Sequence, residues 1–177
     1  MPRGTLGGAD TAVWQKDKGN EEVIDEQSLS IKIPFEEEIT MIKLFAGEKG
    51  EGKTRKLIAL ANDHLNVTDG HIVFIDDDRR NIHEIHRNIR LVDTSEYPLL
   101  NYREFISFIH GMLSQNSDIS EIFIDSLSGI IKELDNSDTS ALMTNLESVS
   151  KSNDVDFFIT LNCNPAELPE NVKKHMV

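Results

Sequence analysis

Apolar residues fall into two alternating rhythms from Met41 onward: short unbroken runs, and longer stretches with one apolar residue every three or four positions. Met41 to Ala46 is a run that ends in glycines, and Leu57, Ile58, Ala61 and Leu65 behind it mark one face of a helix. After an Asp69-Gly70 turn, HIVFI reads as a buried strand ending in Asp76-Asp77-Asp78, and Ile82, Ile85 and Ile89 predict a helix behind it. A short strand near Leu91-Val92 precedes a helix carrying Phe105, Ile106, Ile109, Met112 and Leu113. EIFID at 121–125 is a fourth strand, followed by a helix with Leu127, Ile130, Ile131 and Leu134 inward and another with Leu142, Leu146 and Val149. DFFITL at 156–161 is a fifth strand, and Leu168, Val172 and Met176 predict a closing helix. Strands that are apolar on both faces must be covered on both faces, so the pattern specifies an α/β domain with a mainly parallel five-stranded sheet between helices.

Residues 1–40 follow neither rhythm, and nine acidic residues stand there against four basic ones. The Gly-rich opening and the polar run from Trp14 to Gln27 predict disorder over 1–27. Leu29, Ile31, Ile33 and Phe35 alternate at the strand period over 28–35, with Pro34 confining such a strand to an edge. The expected division is therefore an acidic extension, 1–40, and a domain, 41–177, with Met41 as an alternative translation start.

With 38% apolar and 28% charged residues in a chain of 177, the composition is that of a soluble domain with an adequate core. No run approaches the roughly 18 apolar residues of a membrane helix, and the first 25 residues lack the apolar middle of a secretion signal, so a cytoplasmic location is expected. Cys163 is alone, which excludes an internal disulfide or a cysteine-built zinc site. A net charge of −13 opposes direct binding to nucleic acid or anionic lipid and favours a basic partner.

The most informative segment is GEKGEGKT, residues 47–54, which fits G-x-x-x-x-G-K-S/T with Gly47, Gly52, Lys53 and Thr54. A chance match somewhere in such a chain is expected less than about one time in a hundred. The motif also sits between a strand and a helix, where backbone N–H groups of Glu48, Lys49, Gly50 and Glu51 and the helix N-terminus can together surround a phosphate. Lys53 would bridge the β- and γ-phosphates, and the Thr54 hydroxyl would bind Mg²⁺. EIFIDS supplies a second feature, an apolar strand ending in Asp125, expected beside the loop strand and suited to hold the magnesium water shell.

Together these residues resemble the P-loop nucleoside triphosphatases, and IDSLSG after the fourth strand looks like the segment that follows the Mg²⁺-site Asp in RecA- and KaiC-like ATPases. Gly50, Gly52, HIVFID and ITLNCNPAELP are similar to small P-loop ATP-binding proteins of anaerobic Firmicutes, some labelled twitching-motility or PilT-like. The resemblance covers about residues 41–177 and implies a three-layer P-loop fold binding Mg-ATP. The chain lacks the His box and preceding sensory domain of pilus-retraction ATPases, so the label implies no motility function. The position five before Lys53 is Glu48 rather than the signature lysine of ParA/MinD-type loops, and the glycine spacing does not fit a GxGxxG dinucleotide fingerprint. A small-molecule kinase shares the loop and size, with Asp78-Arg79-Arg80 as a candidate acceptor-binding group, but no Arg-rich lid is visible.

Hydrolysis requires a residue that orients the attacking water. Asp78 falls where the RecA-like resemblance implies a Glu, although three adjacent carboxylates also suit a solvated strand end. Asn162 and Asn164 follow the fifth strand, where a polar residue can sense a γ-phosphate or simply cap the strand. Arg79, Arg80, Arg87 and Arg90 include candidates for an arginine finger toward a neighbouring subunit, although solvated helix charges are the commoner role of such a segment. His83 and His86 have helical spacing for a metal pair without a third ligand nearby. The expectation is an Mg-ATP-binding protein with Lys53, Asp78 and Asp125 as catalytic residues. It would act as a slow ATPase switch on a protein partner or on its own oligomer, with a small-molecule kinase or a non-hydrolysing adaptor as alternatives.

Overall fold

The computed structural model describes residues 41–177, so the expected disorder over 1–27 and the strand over 28–35 lie outside the described residues. The elements are β1 (Ile42–Gly47), α1 (Lys53–His64), β2 (His71–Asp76), β3 (Arg90–Asp93), α2 (Tyr102–Gln115), β4 (Ile119–Ile124), α3 (Leu127–Ile130), α4 (Asn136–Asn153), β5 (Asp156–Asn162), a 3₁₀ turn (Pro165–Glu167) and α5 (Glu170–Lys173). The strands form one sheet in the order β1-β5-β4-β2-β3, and every pairing is parallel. All strand C-termini therefore open on the same edge of the sheet. No helix among the described residues is long and apolar enough to cross a membrane.

Strand side chains alternate between two apolar layers. Val73, Ile75, Ile122, Ile124, Phe157 and Ile159 join Phe105 and Ile109 of α2 and Leu142 and Leu146 of α4 in one layer. Ile72, Phe74, Phe123 and Phe158 face Leu57, Ile58 and Ala61 of α1 in the other. On that face the register aligns Phe74, Phe123 and Phe158 on three adjacent strands, and their rings stack at centroid separations of 6.4 and 4.4 Å. Such offset pairs contribute about 0.5–1.5 kcal/mol each beyond the area they bury.

Three expected helices differ from what forms. Residues 77–89 are turns, because side chains take the backbone groups a helix needs: Asp78 accepts from Arg80 N, while Asn62 of α1 accepts from His86 N and donates to Glu84 O. The apolar spacing still reports burial, since Ile85 and Ile89 pack on the α1 face, but Ile82 is exposed. The helix expected from Leu127 to Leu134 stops after one turn, and Ile131 leaves it to form a parallel bridge with Leu99. The closing helix shrinks to the 3₁₀ turn and α5, after which Met176 bridges Leu44 on the outer edge of β1.

Candidate functional site

The Gly47–Thr54 loop leaves the C-terminal end of β1 and enters α1, with Gly50 at φ 99° and Gly52 at φ 78°. These left-handed conformations favour glycine, which accounts for the motif's second glycine, Gly52, and for Gly50 between the two motif glycines. Gly47 has a different constraint: the Glu51 carboxylate folds onto it so closely that a β-carbon would collide. Gly52 is the N-cap of α1 and offers no side-chain hydrogen bond, leaving the first-turn N–H groups for another acceptor. The Lys53 ammonium curls back along the loop and donates to Gly47 O at 2.9 Å and Glu48 O at 2.6 Å.

A cleft of about 500 Å³ opens over this loop. Lys49, Gly50, Gly52, Lys53 and Thr54 form one wall, and Asp76, Asp77, Asp125, Ser126, Thr160 and Asn162 come from the ends of β2, β4 and β5. The parallel topology thus gathers the loop and the carboxylates on one sheet edge. Asp125 is not on a strand next to β1, as expected from the sequence, because β5 lies between β1 and β4. The intervening strand supplies Thr160, whose hydroxyl donates to Asp125 Oδ1 at 2.6 Å and accepts from Ser126 N at 2.7 Å. Ser126 itself sits at φ 55°, an unfavourable conformation for a residue with a β-carbon, and Asn162 Nδ2 donates to its hydroxyl at 3.3 Å.

Asp76 is buried, 3% exposed, at the end of β2. Its Oδ1 accepts from Asp77 N at 2.8 Å. Burial, then the charges of Asp125 and Asp78, pushes the Asp76 carboxyl up to about 7. Asp78, the residue singled out by spacing, does not line the cleft. It pairs with Arg80, whose guanidinium holds the Asp78 carboxyl below the usual range. The carboxylates of Asp76, Asp77 and Asp78 come within 4.8 Å of one another.

The remaining candidates divide clearly. Arg80 lines the cleft, whereas Arg79 is bound to Asp93 at 2.7 Å. Arg87 and Arg90 are exposed. His83 and His86 are exposed on the turns, and His86 Nδ1 accepts from Asn88 N at 3.2 Å. Asn162 reaches the cleft, but Asn164 caps the 3₁₀ turn by accepting from Ala166 N. Cys163 donates its backbone N–H to Gly47 O at 3.1 Å, and burial pushes its thiol up, away from a reactive thiolate.

Thr160, Ser126, Asn81 and Glu84 were not singled out from sequence. Thr160 carried one available signal, a hydroxyl within a strand otherwise occupied by Phe157, Phe158, Ile159 and Leu161. No protein-family model matches the chain, and no curated protein matches it.

Proposed function

We propose that the cleft binds a nucleoside triphosphate with Mg²⁺, and that the protein is a slow ATPase acting as a nucleotide-dependent switch on a protein partner or on another copy of itself. The observation that carries this reading is the convergence of Lys53 and Thr54, at the start of α1, with Asp125 and Asp76 in one cleft. Neutral N–H donors at a helix start, the ammonium groups of Lys53 and Lys49 and a facing set of carboxylates suit a polyphosphate chelating a divalent cation. The sequence has no N/T-K-x-D guanine motif, which favours ATP over GTP.

The donor set fits Mg²⁺, being all oxygen: the Thr54 hydroxyl and Asp125, with Asp76 and Asp77 near and the open cleft leaving room for water ligands. Bound Mg²⁺ would neutralise charge on the phosphate oxygens. Lys53 exchanges its loop carbonyls for phosphate oxygens, and the loop N–H groups fix the β-phosphate. Asp76 is placed to orient water and to hold its proton, the role that the RecA-like resemblance implies for Asp78. A carboxyl raised toward neutrality is suited to that work.

A second reading, phosphoryl transfer to a small molecule, is favoured by one observation: Arg80, Asn81 and Glu84 extend the cleft beyond the loop and carboxylates. Calorimetry with Mg-ATP tests the common ground, since Lys53→Ala should remove most of the affinity, and unchanged affinity would rule out nucleotide binding at this loop. Release of inorganic phosphate without an acceptor separates the switch from the kinase.

A further inference from the structure

We propose that Thr160 is a positioning residue for magnesium ligation, fixing the Asp125 carboxylate so that one oxygen is held and the other is presented to the cleft. This rests on the reading of the cleft as an Mg-nucleotide site. Thr160 is 2% exposed, flanked in its strand by the apolar Phe157, Phe158, Ile159 and Leu161, so its hydroxyl needs partners. It has two, and their polarity fixes its own. Ser126 N can only donate, so it occupies a lone pair of Thr160 Oγ1 at 2.7 Å. The single hydroxyl proton is then directed to Asp125 Oδ1 at 2.6 Å. One carboxylate oxygen is thereby engaged, Asp125 lines the cleft, and its other oxygen has no hydrogen-bond partner among the described residues.

The arrangement follows from topology. β5 runs between the loop strand and the Asp125 strand, and its register places Thr160 beside Phe45 of β1, two residues before Gly47. A hydroxyl at that position is the group on the intervening strand that can set the carboxylate's orientation from the side while leaving its cleft-facing oxygen clear. The same hydroxyl anchors Ser126 in its left-handed conformation, so the turn after β4 and the ligand before it are held by one atom.

The test uses the full chain and measures ATP affinity by calorimetry in saturating Mg²⁺ and in chelator; the ratio of the two is the readout. Thr160→Val, nearly the same shape without the hydroxyl, should cut the Mg²⁺-dependent gain in affinity by about 10- to 100-fold, the usual effect of removing a partner of a metal ligand, with affinity in chelator unchanged. Thr160→Ser should restore the gain. In an Asp125→Asn background, Thr160→Val should cost nothing more. Circular dichroism checks folding, and if the Val variant fails to fold, Thr160→Ala against Thr160→Ser decides on the same ratio. A wild-type ratio in the hydroxyl-free variant, or equal losses with and without Mg²⁺, would overturn the proposal while leaving nucleotide binding intact. Unchanged ATP affinity in Lys53→Ala would instead overturn the nucleotide reading and this inference with it.

Discussion

The α-carbon of Gly129 packs against the carboxylate of Asp77, such that a β-carbon at residue 129 would lie 3.0 Å from the carboxyl carbon and 3.1 Å from the Ser126 hydroxyl oxygen. Asp77 lines the cleft, so the absence of a β-carbon at Gly129 on α3 leaves the room in which that carboxylate stands. The obstructing atoms are the far end of a flexible side chain, which can yield. Gly129→Ala should therefore cost little stability, under about 1 kcal/mol, because the helical preference of Ala offsets part of the contact. It should nevertheless displace Asp77 and lower phosphate release several-fold. Thermal unfolding and a phosphate-release assay check both parts. A large stability loss with unaltered turnover would make Asp77 a packing group only.

The Asp76 carboxyl, pushed up to about 7 from an ordinary 3.8, gives the fold a definite pH signature. Between those values the folded state binds more protons than the unfolded one, so this residue's contribution to stability falls as pH rises from about 4 to 7 and is constant above. Asp76→Asn removes that slope. At pH 8 and without divalent cation, the variant should be more stable than wild type, by at most about 4 kcal/mol at 1.36 kcal/mol per pKa unit. Below pH 4 that advantage should vanish. Urea unfolding at pH 5 and pH 8 measures the difference, and an advantage independent of pH would show that Asp76 is not raised.

Turnover by the isolated protein should be slow. The carboxylates that the strand ends bring to the cleft are those of Asp76, Asp77 and Asp125, and Arg79 and Arg80 are both engaged with carboxylates, at Asp93 and Asp78. GTPases that lack their arginine finger work at roughly 10⁻⁴ to 10⁻³ per second, the order expected here. Asp125→Asn should weaken the dependence of both affinity and turnover on Mg²⁺. Tens of turnovers per second from the protein alone would mean that a complete catalytic set is present.

The parts of the fold visible in the sequence are those governed by local pattern. The apolar runs HIVFI and DFFITL mark strands because both of their faces are buried, and the apolar positions on either side of the loop mark its strand and helix independently of the motif. Asn62 shows why 77–89 was not visible: it captures the backbone of Glu84 and His86 across the fold, an event that residue spacing cannot encode. The position of β5 between β1 and β4 is likewise a result of tertiary pairing, so the partnership of Thr160 with Asp125 was hidden. The RecA-like resemblance points to Asp78 rather than Asp76 because a motif position carries no information on burial. Only the folded chain distinguishes the 3% exposed carboxylate at the strand end from the one paired with Arg80.

Far from the loop, the C-terminal end of α1 is fastened to β4 through Glu121. Its Oε2 lies 2.9 Å from His64 Nδ1, its Oε1 accepts from the Thr68 hydroxyl, and it is only 8% exposed. The His64 ring in turn stands edge-on to Phe123 and Phe158, at 5.7 and 5.0 Å, so the polar clamp also orients a ring over the aromatic ladder. Glu121→Ala leaves both partners without an acceptor in a mostly enclosed place, and should cost about 1–3 kcal/mol. Glu121→Gln should cost less, because its amide oxygen still accepts from Thr68 and its NH₂ can donate to a ring nitrogen of His64. Neither change should alter Mg-ATP affinity, since Lys53 and Thr54 stand at the opposite end of α1. Urea unfolding at fixed pH ranks the variants and calorimetry checks the site. Equal stability of the Ala and Gln variants would show that neither the volume nor the neutral amide of Gln replaces the carboxylate, and a loss of nucleotide affinity in either would mean that the two ends of α1 are coupled.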